Sequence, residues 1–185
     1  MKGKKLSNYV GVTNEIWAGA LLELARQRHK AIDLVGETIG VEVKSKYKHG
    51  ESNKWTIHER EYSTYPVSNP GRNLFWMFVT YDLDVSLDEL QGKLAETMER
   101  HVTEREAWFL PWHFAAGLVV HKTEKDVYRY ASVDEVCAGT AFEPVQAGKA
   151  ILYVPAHSSI EEHVAKLGLA ETQPESASSK RHCRF

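Results

Sequence analysis

The chain has 185 residues, 43% hydrophobic and 26% charged, with 23 Lys/Arg against 25 Asp/Glu and a formal charge of −2. That length supports one domain with a proper core. The near-neutral balance excludes a polybasic tail protein but not nucleic-acid binding, because local charge matters more than the total. Two cysteines, Cys137 and Cys183, make neither a disulfide framework nor a metal-ligand spacing, which fits a reducing, intracellular setting. The start, MKGKKLSNYVG, is basic but has no apolar core of signal-peptide length. The most apolar later run, Leu74 to Tyr81, is too short to span a membrane. The expectation is a cytoplasmic protein with no membrane partner.

A helix is predicted from Thr13 or Asn14, either of which can cap it, to about His29. Ile16, Trp17, Ala20, Leu21 and Leu24 form its apolar stripe. Glu15 falls in the first turn, where a negative charge suits the helix dipole. Ala31 to Val35 and Ile39 to Tyr47 read as strands, joined by the turn Gly36-Glu37-Thr38 into a hairpin. Lys48 to Asn73 reads as an irregular insertion rich in rings and basic residues. It is either a nucleic-acid-contacting loop, through Lys46, Lys48, Lys54, Trp55, Arg60 and Arg72, or a surface loop with its own aromatic cluster.

Leu74 to Leu83 is almost continuously apolar, as in a central strand buried on both faces. Ser86 and Glu89 have capping-box spacing, and a helix from there carries Leu87, Leu90, Leu94, Met98 and Val102 on one face, ending before Pro111. Ala115 to Val120 and Val127 to Val133 read as a second hairpin, Ala138 to Gly148 as a loop, Ala150 to Val154 as a strand and Ile160 to Leu167 as a last helix. From Glu171 onward apolar periodicity is lost, which predicts a disordered tail over 171–185. The reading is a single α/β domain over 1–170, with a mixed central sheet flanked by helices.

The chemistry concentrates in AIDLVGETIGVEVKSKYK, residues 31–48. Side chains alternate along a strand. Glu42, Lys44, Lys46 and Lys48 therefore share one face, and Val41, Val43, Ser45 and Tyr47 the other. Asp33 and Glu42 come from neighbouring strands. Mg²⁺ is a hard ion that takes one or two carboxylates plus waters and substrate phosphate. Asp33 and Glu42, with the Val43 carbonyl, supply such a set, and Mn²⁺ should substitute. Lys44, beside Glu42, can orient an attacking water or stabilise developing charge, or act as a base if its pKa is depressed. Together these residues read as a metal-dependent site for phosphodiester cleavage. The alternative is a surface charge pair with a turn aspartate, and the two differ in whether the Asp33 and Glu42 carboxylates converge. Phosphate-binding glycine loops, the nucleophile-elbow motif and the C-x-x-C motif are all absent from the sequence.

A helix, then an apolar run ending in Asp33, then Glu42-Val43-Lys44 in a strand resembles the PD-(D/E)XK nuclease superfamily, which includes restriction endonucleases and Holliday junction resolvases. Ile32 stands before Asp33 where the motif's name has proline. That family's core runs helix, three strands, helix, strand. On the predicted elements these fall at 14–29, 31–47, 74–83, 86–107 and 115–121, giving a restriction endonuclease-like core over about 13–123 and a C-terminal extension over 124–170. The resemblance implies Asp33 and Glu42 as metal ligands and Lys44 in water activation. Gly11-x-x-x-Glu15 is similar to the resolvase-like pattern, which adds Glu15 as a metal contact. It also implies a Mg²⁺-dependent DNA endonuclease, restriction-type or junction-resolving, working as a homodimer on DNA. The rival class is a non-catalytic nucleic-acid-binding or interaction domain on the same fold.

Overall fold

The computed structural model describes residues 3–27, 32–50, 52–90, 95–138 and 141–169. The predicted tail over 171–185, with Cys183, lies outside them.

The first helix, α1, spans Gly3–Leu22. It begins earlier than the predicted caps, so Thr13 and Asn14 sit inside it, both buried. Asn14 accepts a hydrogen bond from Arg105 Nε at 2.9 Å. The helix also ends earlier than His29. Glu23 turns into the left-handed region at φ 52°, and Leu24 N–H closes the end on the Gly19 carbonyl at 3.0 Å. The next residues are drawn onto the hairpin instead. Strand β1, Ala25–Arg26, pairs antiparallel with β2, Leu34–Val35, and Gln27 N–H reaches the Asp33 carbonyl at 2.8 Å. Arg26 therefore lies in a strand rather than in the last turn of a helix; residues 28–31 lie outside the described ones.

Strand β3 spans Ile39–Tyr47, as expected, and pairs antiparallel with β2. The turn between them is closed by Gly36 N–H on the Ile39 carbonyl at 2.8 Å. The segment read as an irregular insertion is ordered into strand β4, Lys54–His58, and helix α2, Glu59–Ser68. These form the crossover that carries the chain to β5, Asn73–Leu83, which lies parallel to β3. A parallel neighbour requires such a crossover.

The Ser86–Glu89 capping pair forms, with Ser86 Oγ 2.7 Å from Glu89 Oε1. The helix described after it, α3, covers only Ala95–His101, and residues 91–94 lie outside the described ones. Strand β6, Val102–Pro111, takes the rest of the predicted helix because it pairs antiparallel along β5. A 3₁₀ turn, Trp112–Gly117, replaces the first part of the predicted strand over 115–120. Strands β7, Val120–Lys122, and β8, Val127–Ser132, make the second hairpin, followed by helix α4, Val133–Cys137. The predicted loop over 138–148 contains strand β9, Phe142–Ala147, paired antiparallel with β10, Ala150–Pro155. Helix α5, Ser159–Lys166, is capped by Ser158.

The result is a mixed α/β arrangement with a seven-stranded central sheet in the order β1-β2-β3-β5-β6-β10-β9 and a second sheet in the order β4-β8-β7. Residues 142–155 belong to the central sheet, so the predicted extension supplies two of its strands. One face of that sheet packs Val41, Val43, Met77, Phe109 and Leu152 against Ala18 and Leu22 of α1 and Ile160 and Val164 of α5. The other packs Trp76, Phe78, Trp108 and Leu110 against Trp55, Ile57 and Ala131 of the second sheet. A buried ring at the centre is worth several times the total effect of a surface change. Phe109, fully buried, changed to Ala should therefore cost about 3–5 kcal/mol, read as a lower urea midpoint. No described helix is long and apolar enough to cross a membrane.

Candidate active site

The register of the β2–β3 hairpin, Leu34 opposite Val41, sets Asp33 across from Glu42 at the point where β2 begins. The two acids interlock through the backbone. Asp33 N–H donates to Glu42 Oε2 at 3.2 Å, and Val43 N–H donates to Asp33 Oδ2 at 2.9 Å. Each carboxylate thus binds the main chain beside the other, and the charge of Asp33 acts on Glu42. A residue's N–H and C=O leave a strand on the same edge, so the Val43 carbonyl faces the Asp33 side as well. Glu42 is 3% exposed.

Lys44, two residues on and on the same face, places Nζ 2.9 Å from Glu42 Oε1. It also lies 2.8 Å from Glu61 Oε2, on α2. Glu61 is itself fixed, because the same oxygen accepts His58 N–H at 3.1 Å at the start of the helix. Tyr65 lies one helical turn further along α2. On the other side, Glu15 of α1 is gripped by Arg26, with Nη2 2.6 Å from Oε2. Its charge reaches Asp33. Four acids, Glu15, Asp33, Glu42 and Glu61, therefore gather with two bases, Arg26 and Lys44.

The electrostatics follow from burial and this excess of acid. Burial, with help from Glu15, raises the Asp33 pKa to about 6, against the pull of the Val43 N–H and Lys44. Burial drives Glu42 up to about 8; Lys44 opposes the rise, while Asp33 and Glu61 add to it. Burial alone would lower Lys44, but Glu42 and Glu61 outweigh it and hold the ammonium above the usual amine range. These two carboxylates favour the charged form of Lys44. Burial, then the negative charge of Glu42 and Glu61, pushes the Tyr65 phenol up.

The donor chemistry fits a hard divalent cation. Asp33 at the start of β2, with Glu42 and the Val43 carbonyl of β3, offers oxygen donors, and the two carboxylates ionise only at a cost that a bound cation would offset. Among the described residues no group of three or more His, Cys, Asp or Glu stands ready as a metal cage. Glu42 is spent instead on Lys44 and the Asp33 N–H, and would have to exchange those bonds for a metal.

The residues expected to touch nucleic acid do not gather into one surface. Trp55 is 2% exposed, with its indole N–H on the Val79 carbonyl at 3.2 Å. It is a core residue between the two sheets, and its expected stacking on bases is corrected. Lys46 lies 4.4 Å above the Trp55 ring. Lys48 is held by Glu104 and by Glu106, the latter at 3.3 Å. Arg72 braces the hairpin turn through the Gly36 carbonyl at 2.9 Å. Lys54 and Arg60 are exposed. Glu61, Tyr65 and Arg26 were missed in the sequence. The one available signal was the i, i+4 spacing of Glu61 and Tyr65, which has meaning only once α2 is seen.

No family model matches the chain, and no curated protein matches it.

Proposed function

We propose that this chain is a metal-dependent DNA endonuclease of the PD-(D/E)XK kind, restriction-type or junction-resolving. The observation that carries the reading is the interlocked Asp33–Glu42 pair with Lys44 bridging Glu42 to Glu61. The element order supports it too. Counting only strands of the central sheet, and so setting aside β4, the order α1, β1, β2, β3, α2 and β5 follows helix, three strands, helix, strand, with the helix at 59–68 rather than the predicted 86–107.

Asp33, Glu42 and the Val43 carbonyl would hold Mg²⁺ or Mn²⁺, with Glu15 behind Asp33. A bound divalent cation supplies neutralisation of the phosphate and a more acidic water. Lys44 supplies a positive charge that orients the attacking water and stabilises charge on the phosphate oxygens. Glu61 keeps Lys44 aimed. Water adds to phosphorus, the bridging P–O bond breaks, and the proton lost by the water balances the one taken up by the leaving oxygen. A homodimer would present two such sites to the two strands.

The test uses supercoiled plasmid with Mg²⁺ or Mn²⁺ and an EDTA control. Nicking or linearisation that needs metal and is lost in Asp33→Ala is expected. Cutting by Asp33→Ala at the wild-type rate overturns the site. A non-catalytic domain on the same fold would retain DNA without cutting it in either metal. Long linear DNA cut to discrete fragments would mark a restriction enzyme, and selective cutting of four-way junctions a resolvase.

Glu61 gives a graded prediction. Losing one charge-assisted bond to Lys44 should slow cleavage by roughly tenfold in Glu61→Ala. Glu61→Gln, which keeps an acceptor, should fall between Ala and wild type. Initial nicking rates at saturating metal decide this, and an unchanged rate in Glu61→Ala removes Glu61 from the site.

A further inference from the structure

The second sheet turns Trp55, Ile57 and Ala131 into the core and its other face to solvent. On that outer face the pairing sets Tyr130 opposite Thr56, and Tyr128 opposite both His58 and His121. Three rings meet there. Tyr128 and Tyr130 are 5.0 Å apart edge to face, His121 and Tyr130 5.1 Å, and His121 and Tyr128 5.8 Å with planes 13° apart. His121 is exposed and both tyrosines are half-exposed. Lys54, on the same face as Thr56, places Nζ 5.6 Å from the Tyr130 ring. Two nearby acids are occupied. Asp126 is held by His58 Nδ1 at 2.7 Å, and Glu135 caps α4 through Ser132 Oγ at 2.7 Å.

Large rings left wet forgo the burial that usually places them in a core, and a contiguous exposed group of them marks a contact surface. Rings with a lysine beside them, on a sheet face that also carries hydroxyls, suit unpaired nucleobases with their phosphates nearby. A duplex keeps its base faces stacked inside and offers such rings nothing to lie on. We propose that the outer face of the β4-β8-β7 sheet is a stacking platform for single-stranded DNA, with Tyr128, Tyr130 and His121 under the bases and Lys54 beside the backbone. The proposal rests on the nuclease reading for the identity of the polymer. The platform is rigidly tied to the candidate active site. Strand β4 runs directly into α2, which carries Glu61, and Arg129 on the inner side of β8 grips Glu59 of α2 at 2.9 Å. A strand lying on the sheet is thereby held at a set position relative to Lys44, so the favoured substrate is DNA with an unpaired segment.

The test is fluorescence anisotropy with end-labelled oligothymidylate and an end-labelled duplex, in EDTA so that nothing is cut. The full chain should prefer the single strand. Tyr128→Ala/Tyr130→Ala should weaken single-strand binding by about tenfold or more while moving duplex binding by less than about twofold. Tyr128→Phe/Tyr130→Phe, which keeps the rings, should bind as wild type does, and His121→Ala should weaken single-strand binding independently. Wild-type affinity for the single strand in both alanine variants overturns the platform, as does equal loss on single strand and duplex. Oligothymidylate that is bound but, with plasmid, never cut in Mg²⁺ or Mn²⁺ sinks the nuclease reading and leaves the platform. DNA cut normally by variants that also bind normally does the reverse.

Discussion

Lys44→Ala is expected to lower metal-dependent DNA cleavage by roughly 10²–10³-fold, the usual loss when one preorganised donor to a developing anion is removed. The loss should fall on the catalytic rate, with DNA affinity nearly unchanged, because Lys44 is enclosed between Glu42 and Glu61 rather than on an open surface. Its side chain is 16% exposed, so a phosphate reaching it must first enter the acidic cluster. Lys44→Arg keeps the charge but changes its shape and reach. It should preserve the fold and recover only part of the rate. Single-turnover cleavage measured beside anisotropy separates the two quantities. A Lys44→Ala variant that cleaves at the wild-type rate would assign the lysine to structure alone.

The second large effect is a pH dependence of the metal-free protein that a divalent cation reverses. The Glu42 pKa rises from 4.5 unfolded to about 8 folded, and that of Asp33 from 3.8 to about 6. A raised folded value means that the folded state binds the proton more tightly. Stability from these groups is full below the unfolded values and is lost as pH rises, across about 4.5 to 8 for Glu42 and about 3.8 to 6 for Asp33. The loss is on the order of a few kcal/mol. Glu42→Gln removes the ionisation of Glu42 but not that of Asp33, so in EDTA its melting temperature should stay nearly flat from about pH 6 to 8 while the wild type falls. Mg²⁺ or Mn²⁺ binds the ionised carboxylates and should restore the wild type increasingly as pH rises, without helping Glu42→Gln. Parallel melting curves for the two proteins in EDTA would remove the premise that burial strains Glu42. A metal effect that shrinks as pH rises would remove the metal site.

The centre of the site was legible because it is local. The spacing from Asp33 to Glu42 spans one hairpin turn, and strand alternation alone puts Glu42 and Lys44 on one face. Glu61 was not legible. Helix α2 buries no side chain and contains Pro66, so it has none of the apolar periodicity that announces a helix. It exists because β4 on one side and β5 on the other are fixed by long-range pairing, and because Glu61 caps its own start. Trp55 failed for a related reason. Composition treats a ring as equally suited to base stacking and to a core. Only the pairing of Trp55 with Ala131, far along the chain, turns it inward. The segment over 102–107 continued an apolar helical spacing, yet the open edge of β5 offered a full ladder of backbone bonds and the strand prevailed.

By itself the sequence determined the β2–β3 hairpin, the buried strand β5, the turn between β7 and β8, the capped last helix and the shared face of Glu42 and Lys44. Each depends on neighbours within a few residues, through alternation, turn chemistry or capping. Tertiary structure decided where the crossover runs, which rings face the core, and that Lys44 has a second carboxylate as partner. Those outcomes depend on pairings between segments distant in the chain, whose energies no local pattern records.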